Sequence, residues 1–280
     1  MKPARPARAA GRRVDLHAHT FFSDGQLSPE ELVEHALSRS LVALAVTDHD
    51  TVEGVSRSLV AGGGRIRIVP GIEISTVLEG YDLHVLGYFI DYQSESLRER
   101  LEAFRQERRE RAMAIMIRLG ELGVPVDESS VLAAAEPGVV GRPHVAHALV
   151  RAGHVPSVEA AFQLYLGPRG RAFVQRPEFR SEEAIACIRE AGGASVLAHP
   201  GPQLPLTLVE RLQRSGLDGL EVWHPSHGAS TVRRWREVAR SRGLIETGGS
   251  DFHGTHRGAA LGDLPVPERA VEALLDAARR

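Results

Sequence analysis

Two histidines and an aspartate stand close together near the start of the chain, in the stretch DLHAHTFFSDG from Asp15 to Gly25. His17 and His19 are two residues apart, so on a β-strand both imidazoles project from the same face. Asp24 adds a carboxylate in the segment that follows. The chain has 13 histidines, so chance is one explanation for this grouping. The alternative is a metal site, which requires further ligands elsewhere in the sequence.

Further imidazoles and carboxylates follow apolar segments along the chain. A lone buried histidine is more often a core residue than a ligand, but here nearly every predicted strand ends in an imidazole or a carboxylate. The nine candidate ligands are His17, His19, Asp24, His49, Glu73, His84, His199, Asp251 and His253. Asp48 and Asp50 flank His49 and offer two more carboxylates. The nine include no thiolate, which excludes a finger-type structural zinc site and suits catalytic Zn, Mn or Fe. Nine ligands are too many for one ion, whereas two or three ions sharing a carboxylate would use them.

The segments that carry these residues alternate between two periodicities. Short apolar, β-rich runs are predicted as strands at Val14 to His19, Leu41 to Asp48, Ile66 to Ser75, Leu83 to Ile90, Ala194 to His199, Leu217 to Trp223 and Leu244 to Ser250. Helical periodicity is predicted at Pro29 to Ser38, Glu182 to Ala191, Leu206 to Ser215 and Ser230 to Arg242. The pattern is typical of parallel strands with crossover helices, whose carboxyl ends converge on one mouth. The strand ends therefore predict a single site.

The alternation stops between residues 95 and 177. This part of the sequence contains a long amphipathic helical pattern that ends at Gly123, and no clear parallel strand. We therefore predict a helical insertion at 95–177, a barrel formed by 14–94 and 178–280, and a disordered basic tail at 1–13. At the start of the first helix, Ser28 is predicted to cap and Pro29 to occupy the first helical position.

The overall composition constrains partners and location more than chemistry. The formal net charge is -2, which predicts no duplex nucleic acid as partner. No apolar run has the length of a signal peptide core or of a membrane helix, so we expect no membrane association. Cys187 is the only cysteine, which excludes an intramolecular disulfide and favours a cytoplasmic protein. The oligomeric state is left open.

In sequence order, the motifs DLHAHTFFSDG, AVTDHDTVEG, VPGIEIST, LHVLGYFI, VLAHPG and GGSDFHG resemble those of the PHP (polymerase and histidinol phosphatase) superfamily of metal-dependent phosphoesterases. The resemblance runs from Val14 to Gly258. It implies an α/β fold, a distorted (β/α)7 barrel of the PHP type with a helical insertion serving as a lid, and three divalent ions. Manganese is favoured, with iron or zinc as alternatives. By position, His17, His19, Glu73 and Asp251 would hold one ion, and Asp24, His49 and His253 a second. Glu73, bridging, would hold the third with His84 and His199.

Within that superfamily the chain is most similar to the branch that hydrolyses nucleoside 3′,5′-bisphosphates and trims short RNA from its 5′ end. The segments GRPHVAHALV and AFQLYLGPRGRAFV resemble the lid of that branch. The resemblance makes Arg142, Arg169 and Arg171 candidates for binding substrate phosphate, with His144 beside them in either a supporting or a structural role. Arg169 and Arg171 lie where relatives often have a lysine. His224 and His227 are candidates for contacting phosphate, and His227 also for protonating the leaving group. Asp24, His49, Glu73 and Asp251 complete the predicted catalytic set.

The leading functional hypothesis is a phosphatase that removes the 3′ phosphate of a nucleoside 3′,5′-bisphosphate by means of a metal-activated water. The first alternative is a 5′ to 3′ exoribonuclease acting on the 5′ end of short phosphorylated RNA. Histidinol phosphate, or another small phosphomonoester, is a weaker candidate substrate because it leaves the basic lid residues unexplained. The remaining alternative is a noncatalytic metal-binding module, against which the complete set of ligands argues.

Overall fold

The computed structural model describes residues 12–135, 140–175, 179–254 and 259–280. In this part of the chain one seven-stranded sheet runs in the order β1 to β7. The strands are β1 (Arg13–Asp15), β2 (Leu41–Val46), β3 (Arg67–Leu78), β4 (Tyr81–Tyr88), β5 (Ala194–Leu197), β6 (Gly219–Trp223) and β7 (Ile245–Gly248). All seven overlap the predicted segments, so the local periodicity located each strand correctly. The mixed α/β class is confirmed.

The predicted pattern of parallel strands does not hold at β4. This strand pairs antiparallel with both β3 and β5, whereas the other neighbouring pairs are parallel. Glu79 and Gly80 connect β3 to β4 directly, and both have positive φ, 49° and 81°. Positive φ at both central residues is the geometry of a two-residue type I′ hairpin turn, which connects antiparallel strands. β4 therefore enters the sheet from the opposite end.

Hydrogen bonds also join the two edge strands of the sheet. The backbone N–H of Leu16, just after β1, donates to the carbonyl of Gly248 at 3.2 Å. Further along, Ala18 and Phe252 form an isolated parallel bridge. These links bring the end of β1 against the end of β7 and support the predicted barrel.

Helices cover the sheet between the parallel strands. They are α1 (Pro29–Ser38), α2 (Glu53–Gly62), α3 (Glu95–Glu121), α4 (Glu128–Ala133), α5 (Arg142–Arg151), α6 (Val158–Ala161), α7 (Ser181–Glu190), α8 (Leu206–Arg214), α9 (Ala229–Arg242) and α10 (Arg269–Ala278), with a π-helical segment at Phe162–Leu166. At the start of α1, the Ser28 hydroxyl accepts from the Glu31 N–H, and the Glu31 carboxylate accepts from the Ser28 N–H. This reciprocal capping box confirms the predicted start of α1.

Helix α3 spans two separate hydrophobic cores. Its first half contributes Leu97, Leu101 and Phe104 to the main core around the sheet. Its second half contributes residues such as Ile115 and Leu119 to a second core formed by residues 112–172. A second core supports the predicted insertion, although residues 176–178 at its distal boundary lie outside the described part of the chain.

The first described residues are already attached to the body of the protein. Arg13 begins β1, and Arg12 forms an ion pair with Glu268 at 3.1 Å. The predicted tail boundary after residue 13 is therefore too late, while residues 1–11 lie outside the described residues. Among the described helices, none combines the length and the apolar character needed to cross a lipid bilayer.

Candidate metal centre and lid cavity

Five imidazoles surround the buried carboxylate of Glu73. Nitrogen-to-oxygen distances to this carboxylate are 3.1 Å from His17, 3.3 Å from His19, 3.1 Å from His49, 2.7 Å from His84 and 3.0 Å from His199. The Glu73 side chain is fully buried, so water cannot balance its charge. The arrangement places one carboxylate among several imidazoles that could coordinate a metal cation.

The hairpin explains how Glu73 and His84 reach this position. The strand predicted to end at Ser75 continues to Leu78, so Glu73 lies well inside β3, where its backbone pairs in an isolated bridge with His49 after β2. His84 lies opposite Ser75 in the antiparallel register. Because β4 runs backwards, its first half lies at the end of the sheet where the parallel strands finish. His84, a predicted ligand, therefore reaches the cluster from the first half of β4.

Two further carboxylates extend the cluster. The Asp251 carboxylate lies 3.0 Å from His19 and 3.3 Å from His17. The Asp24 carboxylate lies 3.1 Å from His253 and 4.0 Å from His49. Asp251 has a φ of 51°, in the left-handed region that residues with a side chain rarely adopt. Such backbone strain is most often found at functional sites.

Within the described residues, the ligand atoms fall into three overlapping groups, each gathered within 4.8 Å. The groups are His17, His19, Glu73 and Asp251; Asp24, His49 and His253 together with His19; and Glu73 and His84 together with His49. The first matches a predicted ligand set and the second adds His19 to one. In the third group His49 appears where His199 was predicted, although His199 lies 3.0 Å from Glu73. The structure thus brings together all nine predicted ligands.

The donor chemistry fits divalent cations. The Nδ1 atom of His49 is buried and has no hydrogen-bond partner among the described residues, although it lies 3.1 Å from Glu73. The contact is close but lacks hydrogen-bond geometry. A cation between these two atoms would use both lone pairs, and imidazole with carboxylate suits Zn, Mn or Fe.

The electrostatics of the cluster are strongly coupled. Burial alone would raise the pKa of Glu73, but the surrounding histidines, His49 foremost, hold the pKa well below its usual range. Burial lowers the pKa of His49 to about 4. This ring is therefore neutral at physiological pH, the state in which an imidazole can coordinate a metal.

A buried glutamate on β6 holds two of the histidines and was not identified from the sequence. Glu221 lies 3.0 Å from Nδ1 of His17 and accepts a 2.7 Å hydrogen bond from the backbone N–H of His199. Carboxylates behind metal-ligating histidines fix the ring orientation and the tautomer. The signal was a single acidic residue inside the apolar strand GLEVW, where an unpaired charge would be costly.

The two aspartates that flank His49 hold loops in place and are absent from the three ligand groups. Asp48 accepts hydrogen bonds from the backbone N–H and the hydroxyl of Thr20, both at 2.7 Å. Asp50 accepts from the backbone N–H of Ser75 at 2.8 Å and pairs with Arg108 of α3. The Arg108 contact connects the insertion to the metal centre, and sequence reasoning missed it because α3 carries many arginines.

A cavity of about 240 Å³ opens between the ligand cluster and the insertion, which was predicted to be a lid, and is called the lid cavity below. Its lining includes Asp24, His49 and His84 from the cluster and Arg108 and Arg142 from the insertion. The insertion and the predicted metal ligands therefore share one space. His144 lines a neighbouring cavity, and its Nδ1 accepts from the Gly141 N–H at 3.1 Å, which is a local structural role.

The predicted phosphate-binding arginines differ in position. Arg142 is partly buried, with its guanidinium 5.7 Å from the ring centroid of Phe162. Burial, the largest influence, lowers the pKa of Arg142, although nearby Asp82 opposes the shift. Arg169 and Arg171 are exposed and do not line the cavity. Arg142 lines the cavity and Arg169 and Arg171 do not, while the substrate roles of all three stay predictions.

His224 and His227 lie on the other side of the cluster. His224 contacts Asp251, with 3.2 Å between Nε2 and the carboxylate. Nδ1 of His227 lies 2.9 Å from the carbonyl of Val222, which can only accept, so this nitrogen carries the proton. Burial lowers the pKa of His227. The neutral ring therefore offers Nε2 as an acceptor, which argues against the predicted role of His227 as a proton donor.

Comparison with known proteins agrees with this site. A family model described as the PHP domain matches residues 15–137. A 3′,5′-nucleoside bisphosphate phosphatase of Chromobacterium violaceum is 33% identical over 88% of this chain and 88% of its own length. The 5′-3′ exoribonuclease Rnm of Escherichia coli is 34% identical over 85% and 84%. A structure from Bifidobacterium adolescentis, provisionally described as a metal-dependent phosphoesterase, superposes with a TM-score of 0.85, 32% identity and coverage of 95% and 96%.

The fold and the site together define a hydrolase that acts on phosphate esters. The chain belongs to the PHP family, as its motifs predicted. Similarity to the two curated relatives extends over most of the chain and therefore includes the insertion.

Proposed function

We propose that this protein removes the 3′ phosphate from nucleoside 3′,5′-bisphosphates. The observation that carries the proposal is the shared cavity, in which predicted metal ligands and Arg142 face the same space. A substrate with two phosphates needs two separate anion sites, which cations at the predicted ligands and the Arg142 guanidinium would provide. The relative from Chromobacterium violaceum, a 3′,5′-nucleoside bisphosphate phosphatase, supports this substrate class.

Three divalent ions, with Mn²⁺ favoured over Fe or Zn, would be held by the nine ligands at the scissile phosphate. When bound, they would supply Lewis-acid activation of water and neutralise charge on the phosphoryl oxygens. Glu73 would bridge neighbouring ions, while Glu221 would keep the rings of His17 and His199 oriented. Arg142 would hold the 5′ phosphate through its planar fork of donors. We also propose that the protein is cytoplasmic and holds three ions per chain.

A substrate panel tests the function. We expect adenosine 3′,5′-bisphosphate to be hydrolysed to adenosine 5′-monophosphate with a far higher kcat/KM than histidinol phosphate. The reason is that histidinol phosphate lacks the second anion that Arg142 would bind. Phosphate release and chromatography of the nucleoside product provide the measurement. Equal turnover of the two substrates would remove the argument for a bisphosphate enzyme.

Removing metal should abolish the activity, and the affinity with which metal binds again should depend on pH. EDTA treatment is expected to eliminate turnover, and Mn²⁺ to restore it at least in part. Burial, the largest single influence, would lower the pKa of His253, but the hydrogen bond and charge of Asp24 together with the charge of Asp251 outweigh burial and raise the pKa to about 9. His253 is therefore protonated at neutral pH in the metal-free protein. A cation binding there must displace this proton, so affinity should rise about tenfold per pH unit up to that pKa.

Proton release provides a direct check on this expectation. Adding Mn²⁺ to the metal-free protein near neutral pH should acidify a weakly buffered solution. The variant His253→Gln should release fewer protons per ion bound, and His35→Gln, outside the ligand groups, should behave as wild type. Turnover that survives exhaustive chelation would show that metal is not required, and binding without proton release would argue against His253 as a ligand.

A further inference from the structure

A second and larger cavity lies on the far side of the metal centre, along α9. Its volume is about 930 Å³. The lining includes Trp223, His227, Val232, Arg233, Arg236 and Leu264. The function proposed above makes no use of this space, because a nucleoside bisphosphate would be held between the ligand cluster and the lid.

A row of imidazoles leads from the lid cavity to the α9 cavity. Ring centroids are 5.1 Å apart for His84 and His199, 5.0 Å for His199 and His224, and 5.6 Å for His224 and His227. His84 lines the lid cavity, and His227 lines the α9 cavity. The two cavities therefore lie at opposite ends of this row of imidazoles.

The α9 cavity contains an acceptor without a partner. His227 is only 8% exposed, and its Nε2 has no hydrogen-bond partner among the described residues. Because Nδ1–H donates to the Val222 carbonyl, Nε2 carries a lone pair and can accept from a hydroxyl or an amino group. A buried acceptor left unpaired is costly, so the site is suited to a ligand that brings a donor.

The charge along α9 is predominantly positive. Arg236 and Arg240 share the carboxylate of Glu246, at 3.2 and 2.7 Å, and Arg236 lies 5.4 Å from the ring centroid of Trp223. Arg233 is exposed and forms no ion pair with any residue in the described ranges. Three guanidiniums beside apolar surface suit a ligand with phosphates and flat bases.

The chemistry of RNA trimming requires a second binding region. Hydrolysis breaks the bond between the phosphorus and the 3′ oxygen of the first nucleotide; the water oxygen joins the phosphorus and a proton goes to the 3′ oxygen. The rest of the RNA remains attached to that phosphorus through its 5′ oxygen. If the first nucleotide occupies the lid cavity, the remaining chain must leave the metal centre in another direction.

We infer that the α9 cavity binds the nucleotides of a single-stranded RNA that follow the scissile phosphate. This inference rests on the proposed function and extends it to the second substrate class. Arg233 would contact a phosphate of the remaining chain, and His227 would accept a hydrogen bond from a base or a 2′-hydroxyl, which DNA lacks. The 5′-3′ exoribonuclease Rnm, similar over most of this chain, is consistent with such a path.

The variant Arg233→Glu tests the inference with two substrates. Its kcat/KM for a short 5′-phosphorylated RNA should fall about tenfold, and the slope of log KM against log salt should change by about 1. Hydrolysis of adenosine 3′,5′-bisphosphate should stay within about twofold of wild type, because this substrate does not reach α9. Arg214→Glu on α8 is the matched control, since Arg214 is also exposed and lines neither cavity.

Fluorescence anisotropy with the same RNA in EDTA gives a readout that is independent of turnover. Arg233→Glu should bind the RNA about tenfold more weakly than the wild-type protein does, and Arg214→Glu should bind it as tightly as wild type. Equal RNA binding and equal RNA turnover by all three proteins would overturn the inference. A wild-type protein that hydrolyses the bisphosphate but does not hydrolyse RNA would also overturn it. Failure of wild type to hydrolyse either substrate would overturn the proposed function, while RNA binding in EDTA would still decide the role of the α9 cavity.

Discussion

Replacing Glu73 by Gln is expected to lower kcat/KM for a nucleoside bisphosphate by more than about a hundredfold. Mutating a residue that only hydrogen-bonds to a metal ligand already lowers metal affinity or activity about tenfold to hundredfold, and Glu73 is a predicted ligand itself. Glu73 lies within 3.3 Å of five imidazoles and is fully buried. The amide keeps the size of the side chain but has one weak acceptor oxygen and no charge. Two adjacent cations would then lose their shared anion.

Metal content separates this explanation from misfolding. Elemental analysis of Glu73→Gln should give fewer ions per chain than wild type, while circular dichroism should stay unchanged. Glu210→Gln is the control, because Glu210 is on α8, pairs with Arg242 and is absent from the ligand groups. Full metal occupancy together with normal turnover would contradict a bridging role for Glu73.

Replacing Arg142 by Ala should produce a selective loss. A charge-assisted bidentate contact is worth on the order of 1.5 to 3 kcal/mol, so kcat/KM for the bisphosphate should drop roughly tenfold to hundredfold. An aryl phosphate has no second anion and needs only the metal centre, so its hydrolysis should be almost unaffected. Arg142→Lys should recover only part of the loss, because an ammonium lacks the planar fork.

The position of Arg142 makes the test decisive. It lines the cavity beside Asp24 and His84, whereas Arg169 is exposed and does not. Arg169→Ala should therefore turn over the bisphosphate like wild type, although sequence similarity suggested a phosphate contact. If Arg142→Ala affected both substrates equally, recognition of the 5′ phosphate by this residue would be refuted and the metal centre would stand unchanged.

Local signals in the sequence located most of the framework. The seven strands lie where apolar β-rich runs predicted them, and Ser28 caps α1 as its position indicated. Both features depend on residues that are neighbours in sequence, and such short-range preferences can be read directly. The nine predicted ligands were found in a similar way, because imidazoles and carboxylates recur at the ends of predicted strands and one shared site was the simplest explanation.

The direction of β4 was not readable in the same way. An apolar strand has the same pattern whichever way it runs, so the periodicity gave no indication that β4 is antiparallel. The turn at Glu79 and Gly80 held the available signal, since a two-residue connection is too short for a parallel crossover. This reversal carries His84 to the metal centre from the start of its strand instead of the end.

By itself, then, the sequence determined the family, the order of the elements and the identity of the nine clustered side chains. Only the tertiary structure decided how they are grouped, with His19 and His49 each in two groups and Glu221 behind His17. It also decided that Arg142 faces the cavity while Arg169 faces solvent, and that α9 borders a second cavity. The physical reason is that composition and periodicity report which face of an element is buried. Contacts between residues far apart in sequence depend instead on how the strands are paired and how the helices pack, and no local pattern encodes those distances.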